Sequence, residues 1–119
     1  RRNAEYFSRK FSNHPLVDIQ HEIGSSSWFG FALILKLNVL VNRRELIKHL
    51  SACNIECRPI VTGNFLKNTR VLRFFDYEIA GTLENAQYID DYGLFVGNHH
   101  VPLNKEIDYL YDVLDSLVK

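Results

Sequence analysis

The residues of this sequence that could do chemistry gather after two short apolar runs. The first, "ECRPIVTGN", brings Arg58, Gly63 and Asn64 together, and the second, "GLFVGNHH", ends on Gly97, Asn98, His99 and His100. A guanidinium such as that of Arg58 can grip a carboxylate or phosphate through two parallel N–H donors. Asparagine and histidine offer both donors and acceptors to hydroxyls and carbonyls, and glycine lets a backbone come close to a ligand. The same Gly-Asn pairs are also ordinary turn formers, and the residues alone leave both readings open.

Other chemistries fit less well. Cys53 and Cys57 stand four apart, and His99-His100 would complete a four-ligand set. But Cys53 falls on the apolar stripe of a helix and Cys57 in the strand after it, whereas zinc ligands pair across short loops. Buried free thiols and no metal are the expectation. Ser25, Ser26 and Ser27 lie in a loop without the strand-turn-helix setting of a nucleophile elbow. His49 falls on the polar side of a helix and His14 precedes a proline, so no catalytic centre is read from this chain's own residues.

The elements that must position these residues follow from periodicity. Ala4, Phe7 and Phe11 repeat at helical spacing over residues 1–13, stopped near His14-Pro15. "VDIQ" alternates, 24–28 is a loop, and 29–38 reads as a partly buried strand. Asn42 with Glu45 three residues on forms a capping box, followed by a core-facing stripe of Leu46, Ile47, Leu50 and Cys53. Asn54 suits the left-handed position after that helix, with Ile55 packing back. "ECRPI" is a short strand, and 65–81 is loop with a helical turn. Thr82 is the expected cap of a helix through Leu83, Ala86 and Ile89, ended by Gly93. "LFVG" is a buried strand, and Asn104 the expected cap of a last helix with Ile107, Leu110, Leu114 and Leu117 inward. The order α-β-β-α-β-α-β-α lacks strict alternation, so the fold class is α+β with a small, mostly antiparallel sheet.

Composition narrows the function further. The 119 residues are 46% hydrophobic, enough for one domain with a core. The 14 basic residues balance 14 acidic ones, which argues against nucleic acid as a partner. No apolar run nears the ~20 residues of a membrane span. The two cysteines suggest a reducing cytoplasm. There is no methionine, and "RRNAEYFSRKF" reads like the middle of something, so residues 1–119 are expected to be a domain of a longer protein.

"SSWFGFALIL", a capped helix, "NIECRPIVTGNFLKN", an acidic-aromatic helix and "GLFVGNHH" before a final amphipathic helix follow one another in a familiar order. From about Phe11 to Val118 the chain resembles the C-terminal small domain of the DegT/DnrJ/EryC1/StrS family of vitamin-B6-dependent enzymes that act on nucleotide-linked keto sugars. Gly63-Asn64-Phe65-Leu66 and "FVGNHH" are similar to the branch that removes the C3 hydroxyl of a 4-keto-6-deoxy sugar. The motifs are short, and their order and spacing carry the resemblance. It implies pyridoxal or pyridoxamine phosphate bound in the parent but not by this chain alone, a nucleotide-linked keto sugar as substrate, and a homodimeric parent. It also implies a large cofactor domain upstream of Arg1 that holds the catalytic base. Trp28, Arg58, Asn64, Asn98 and His99 are the implied substrate-binding residues, on a rim facing that domain. The alternatives are a sugar aminotransferase of the same family and a non-catalytic α+β interaction module. A docking domain should expose an apolar face, and an interaction module of accidental likeness a closed polar surface.

Overall fold

Five helices and four strands are described by the computed structural model, which covers residues 1–118. They are α1 (Arg2–Phe11), β1 (Val17–Ile19), β2 (Gly30–Leu35), α2 (Arg43–Ala52), β3 (Cys57–Pro59), α3 (Thr69–Leu72), α4 (Glu84–Tyr92), β4 (Gly93–Gly97) and α5 (Asn104–Asp115). A 3-10 turn, Phe65–Lys67, precedes α3. The strands form one wholly antiparallel sheet in the order β1-β2-β4-β3, which is the expected α+β arrangement.

Alternation along β2 sets the two faces of that sheet. Phe31, Leu33 and Leu35 are buried, while Gly30, Ala32 and Ile34 are half-covered. The register pairs Phe31 with Val96 and Leu33 with Leu94, so buried Leu94 and Val96 of β4 fall on the same face. Phe7 and Phe11 of α1 and Ile107, Leu110 and Leu114 of α5 complete the core against that face. The Phe7 ring stacks on Phe11 and Phe31 with centroids 4.5 and 4.4 Å away. Spacing of four along α1 puts both aromatics on one side, and this side must be buried.

α2 begins and ends as its sequence dictates. Glu45 N donates to Asn42 Oδ1 and Asn42 N to Glu45 Oε2, both at 3.0 Å. At the other end Asn54 takes φ +57, Asn54 N donates to Ser51 O, and Ile55 N donates to Leu50 O. These two bonds satisfy carbonyls that the last turn would otherwise leave free.

Two expected helix starts differ. Thr82 does not cap α4, whose N-cap is Leu83 with no side-chain bond, because the helix begins one residue too late for a threonine there. Asn104 is the first residue inside α5 rather than its cap; Leu103 holds that place, and Leu103 N donates to Asn3 Oδ1 from another helix. Gly93 ends α4 as expected, and does so in extended geometry, φ −90 and ψ 144. Helix passes into strand there with no loop, and a Cβ would meet Ile89 O, Ile60 and Ile34. Close approach, not turn geometry, requires that glycine. Leu117 lies beyond α5 and is only half-buried, while Val113 is a further buried residue of the helix.

Candidate functional site

Two clefts meet at the C-terminal end of β4. One, of about 830 Å³, lies between the start of β3, the end of β4 and α5, and its lining includes Phe29, Arg58, Phe95, Asn98, His99 and Lys105. The other, of about 840 Å³, lies between the first turns of α1, the loop before β2 and the loop before α5, with Arg2, Arg9, Trp28, Asn98, His99 and His100 among its walls. Asn98 and His99 form the ridge between them.

That ridge is held by a residue that sequence reasoning passed over. Asn3 is 7% exposed, and its Nδ2 donates to Asn98 Oδ1 (3.1 Å), His99 O (3.0 Å) and Val101 O (2.8 Å). Its Oδ1 accepts from Leu103 N at 3.2 Å. A buried amide survives only with its partners satisfied, and this one fixes the whole 98–103 loop. A signal did exist, since Asn3 stands four before Phe7 on the buried face of α1.

The five predicted residues are not equivalent. Asn98 uses both ends of its amide internally, accepting from Asn3 and donating to Trp28 O (2.9 Å) and Ser27 O (3.3 Å). Trp28 is 7% exposed and part of the aromatic core, with ring centroids 6.2 Å from Phe7 and 6.3 Å from Phe31. Its indole N–H donates to the Glu22 carboxylate, and its φ of +46 is a strained value for a bulky residue. Asn64 lines neither cleft: Oδ1 accepts from Leu66 N and Nδ2 donates to Gln87 Oε1, capping the 3-10 turn. Arg58 and His99 present exposed side chains to the first cleft. Among the described residues Arg58 pairs only with Glu56, at 2.9 Å, with both side chains more than 70% exposed. An ion pair so exposed contributes little and yields readily to a competing anion.

Lys67, Asp90, Asp91 and Cys57 lie outside both clefts. Lys67 Nζ reaches Asp90 (2.5 Å) and Asp91 (3.1 Å), and the Asp90 bond leads in pushing the lysine up. Lys67 in turn holds Asp90 below the usual carboxylate range, and the Gln87 amide does most of the same for Asp91. Burial pushes the Cys57 thiol up, which keeps it protonated and unreactive. Among the described residues no group of three or more His, Cys, Asp or Glu is placed to hold a metal.

Fold and rim together define a small α+β domain whose exposed polar side chains, Arg58 and His99, face outward beside unfilled apolar surface, including Phe29 at 84% exposure. No family model matches the chain. It is 57% identical over 114 residues to the GDP-4-keto-6-deoxy-D-mannose 3-dehydratase of Escherichia coli O55:H7, and 59% identical to the Yersinia pseudotuberculosis enzyme of that name. Each match covers 96% of this chain and 29% of the relative. A solved structure of the E. coli enzyme with bound hydrated PLP superposes with a TM-score of 0.90 over 95% of the chain, again 29% of the other. The chain is thus a relative of the sugar-nucleotide 3-dehydratases, the branch its motifs resemble, and spans less than a third of their length.

Proposed function

We propose that residues 1–119 are the C-terminal small domain of a 3-dehydratase that removes the C3 hydroxyl of a nucleotide-linked 4-keto-6-deoxyhexose, in dideoxysugar and lipopolysaccharide synthesis. One observation carries this reading. Identity of 57–59% to two 3-dehydratases extends over 114 of the 119 residues. The exposed apolar surface supports a docking domain over a self-contained module. The parent is a cytoplasmic homodimer in this reading.

The pyridoxal phosphate of the solved relative does not fit this chain alone. Among the described residues the buried polar side chains are Asn3, His14 and Asn64, and no lysine, arginine or carboxylate is buried. The rim supplies one wall, and the anchoring groups belong to the rest of the parent. Bound there, the cofactor would supply the electron sink for breaking the C3–O bond. The part played by this chain is then to orient the sugar nucleotide. Arg58 offers two parallel donors to a phosphate or carboxylate, and His99 a donor or acceptor to a sugar hydroxyl.

Steady-state kinetics of the longer protein test this. Arg58→Lys keeps the charge but loses the planar fork, and should slow turnover at least tenfold, about 1.4 kcal/mol. His99→Gln should do less, since glutamine keeps one donor and one acceptor. Wild-type turnover by Arg58→Lys removes Arg58 from the site.

A further inference from the structure

The stretch after α3, "FFDYEIA", has the binary pattern of a half-buried strand but belongs to no sheet. Phe75, Tyr77 and Ile79 alternate with Asp76 and Glu78, which is the period-two signature of a segment with one apolar and one wet face. Yet Phe74, Phe75, Tyr77 and Ile79 are 71%, 62%, 53% and 57% exposed. Among the described residues, no hydrogen bond holds the backbone or side chains of residues 76–82. Unpaired N–H and C=O groups beside bulky apolar side chains are what a strand offers when its partner lies elsewhere. Apolar exposure this concentrated marks an interaction surface.

We infer that residues 74–79 form a docking arm whose occupant is the part of the longer parent chain that this structure lacks. The inference rests on the reading of the chain as a domain of a longer enzyme. Roughly 70% of the relatives' length has no counterpart here, so the missing part is large enough to cover the arm. The alternation fixes the sense of docking: Phe75, Tyr77 and Ile79 face the missing part, and Asp76 and Glu78 stay in water. Two points separate the arm from the rim. It carries no group of the proposed substrate site, and it lines neither cleft.

Amide hydrogen exchange, read by mass spectrometry on the longer protein and on the 119-residue chain, tests the arm. Peptides spanning 76–82 should exchange at least about tenfold more slowly in the longer protein than in the short chain. The double variant Tyr77→Ser/Ile79→Ser should abolish that protection and lower the melting temperature of the longer protein. It should leave the melt of the 119-residue chain unchanged, because both side chains are already exposed there. Equal exchange in the two proteins would overturn the inference. So would protection that appears in the short chain and grows with its concentration, which assigns the arm to a second copy, and so would a gene encoding these 119 residues alone. Turnover measured on the same preparations keeps the two proposals apart. An active protein with a freely exchanging arm sinks the arm only, and an inactive protein with a protected arm sinks the enzymatic reading only.

Discussion

Replacing Asn3 should loosen the ridge between the clefts before it harms the rest of the core. Asn3→Leu keeps the branched four-atom shape of the side chain but removes the donor shared by Asn98 Oδ1, His99 O and Val101 O, and the acceptor for Leu103 N. Two amide hydrogens serve three acceptors, so the loss amounts to about three net hydrogen bonds. At roughly 1 kcal/mol each the cost is about 2–4 kcal/mol, the upper end applying if the freed carbonyls find no water. For a domain of this size that is a fall in melting temperature of roughly 6–20 °C. Asn3→Asp sharpens the test. It keeps an acceptor for Leu103 N but turns a carboxylate oxygen towards three other oxygens, so its protonated form is favoured in the folded state. A folded pKa raised above the unfolded value contributes stability at low pH that is lost as pH rises through it, so Asn3→Asp should gain on wild type as pH falls. Thermal melts by circular dichroism measure both variants, and amide NMR of residues 98–103 should show the largest shifts. An Asn3→Leu melt within a degree or two of wild type would refute the view that these bonds hold the loop.

Leu50 is fully buried, so Leu50→Ala should cost about 2–5 kcal/mol, against ~1 kcal/mol for Asn42→Ala through its lost cap; denaturant melts in which the two cost the same would contradict the assigned helix face. Gly63→Ala should destabilise the domain more than a left-handed glycine alone explains, because φ is +54 and a Cβ would strike the Asp90 carboxylate. In the double variant with Asp90→Ala the same substitution should be milder, and equal melts for Gly63→Ala in the two backgrounds would count against the clash. His14 is 1% exposed, its Nδ1 accepts from Leu16 N, and its Nε2 has no partner among the described residues. Burial pushes this imidazole below its ordinary value, with Lys36 acting the same way against an opposing Asp115. The unfolded chain therefore binds the extra proton first, and stability should fall as pH drops below about 6.5. His14→Asn, whose Oδ1 can replace Nδ1 as the acceptor, should flatten that slope in melts taken across the range.

Legibility in the sequence tracked how local the physics was. The α2 boundaries were readable because Asn42, Glu45, Asn54 and Ile55 solve a problem confined to one helix. The strands at 30–35 and 93–97 were readable from apolar runs bounded by turn residues. Thr82 and Asn104 misled because a cap needs a position correct to one residue, and tertiary packing set both helix starts. The spacing of Asn3 from Phe7 marked it as buried, but its partners lie 95–100 residues away and no local pattern names them. The rim was half legible. Residue types picked out Arg58, Asn98 and His99, which line the first cleft, but not that Asn98 spends its amide on Trp28 and Asn3 while Arg58 and His99 stay exposed.

Mass spectrometry of the product formed by the longer protein tests the central claim most directly. With pyridoxal phosphate, an amino donor and a nucleotide-linked 4-keto-6-deoxyhexose, the sugar should lose its C3 hydroxyl and keep oxygen at C4. A product carrying an amine at C4 with the C3 hydroxyl intact, or a substrate returned unchanged, would contradict the account.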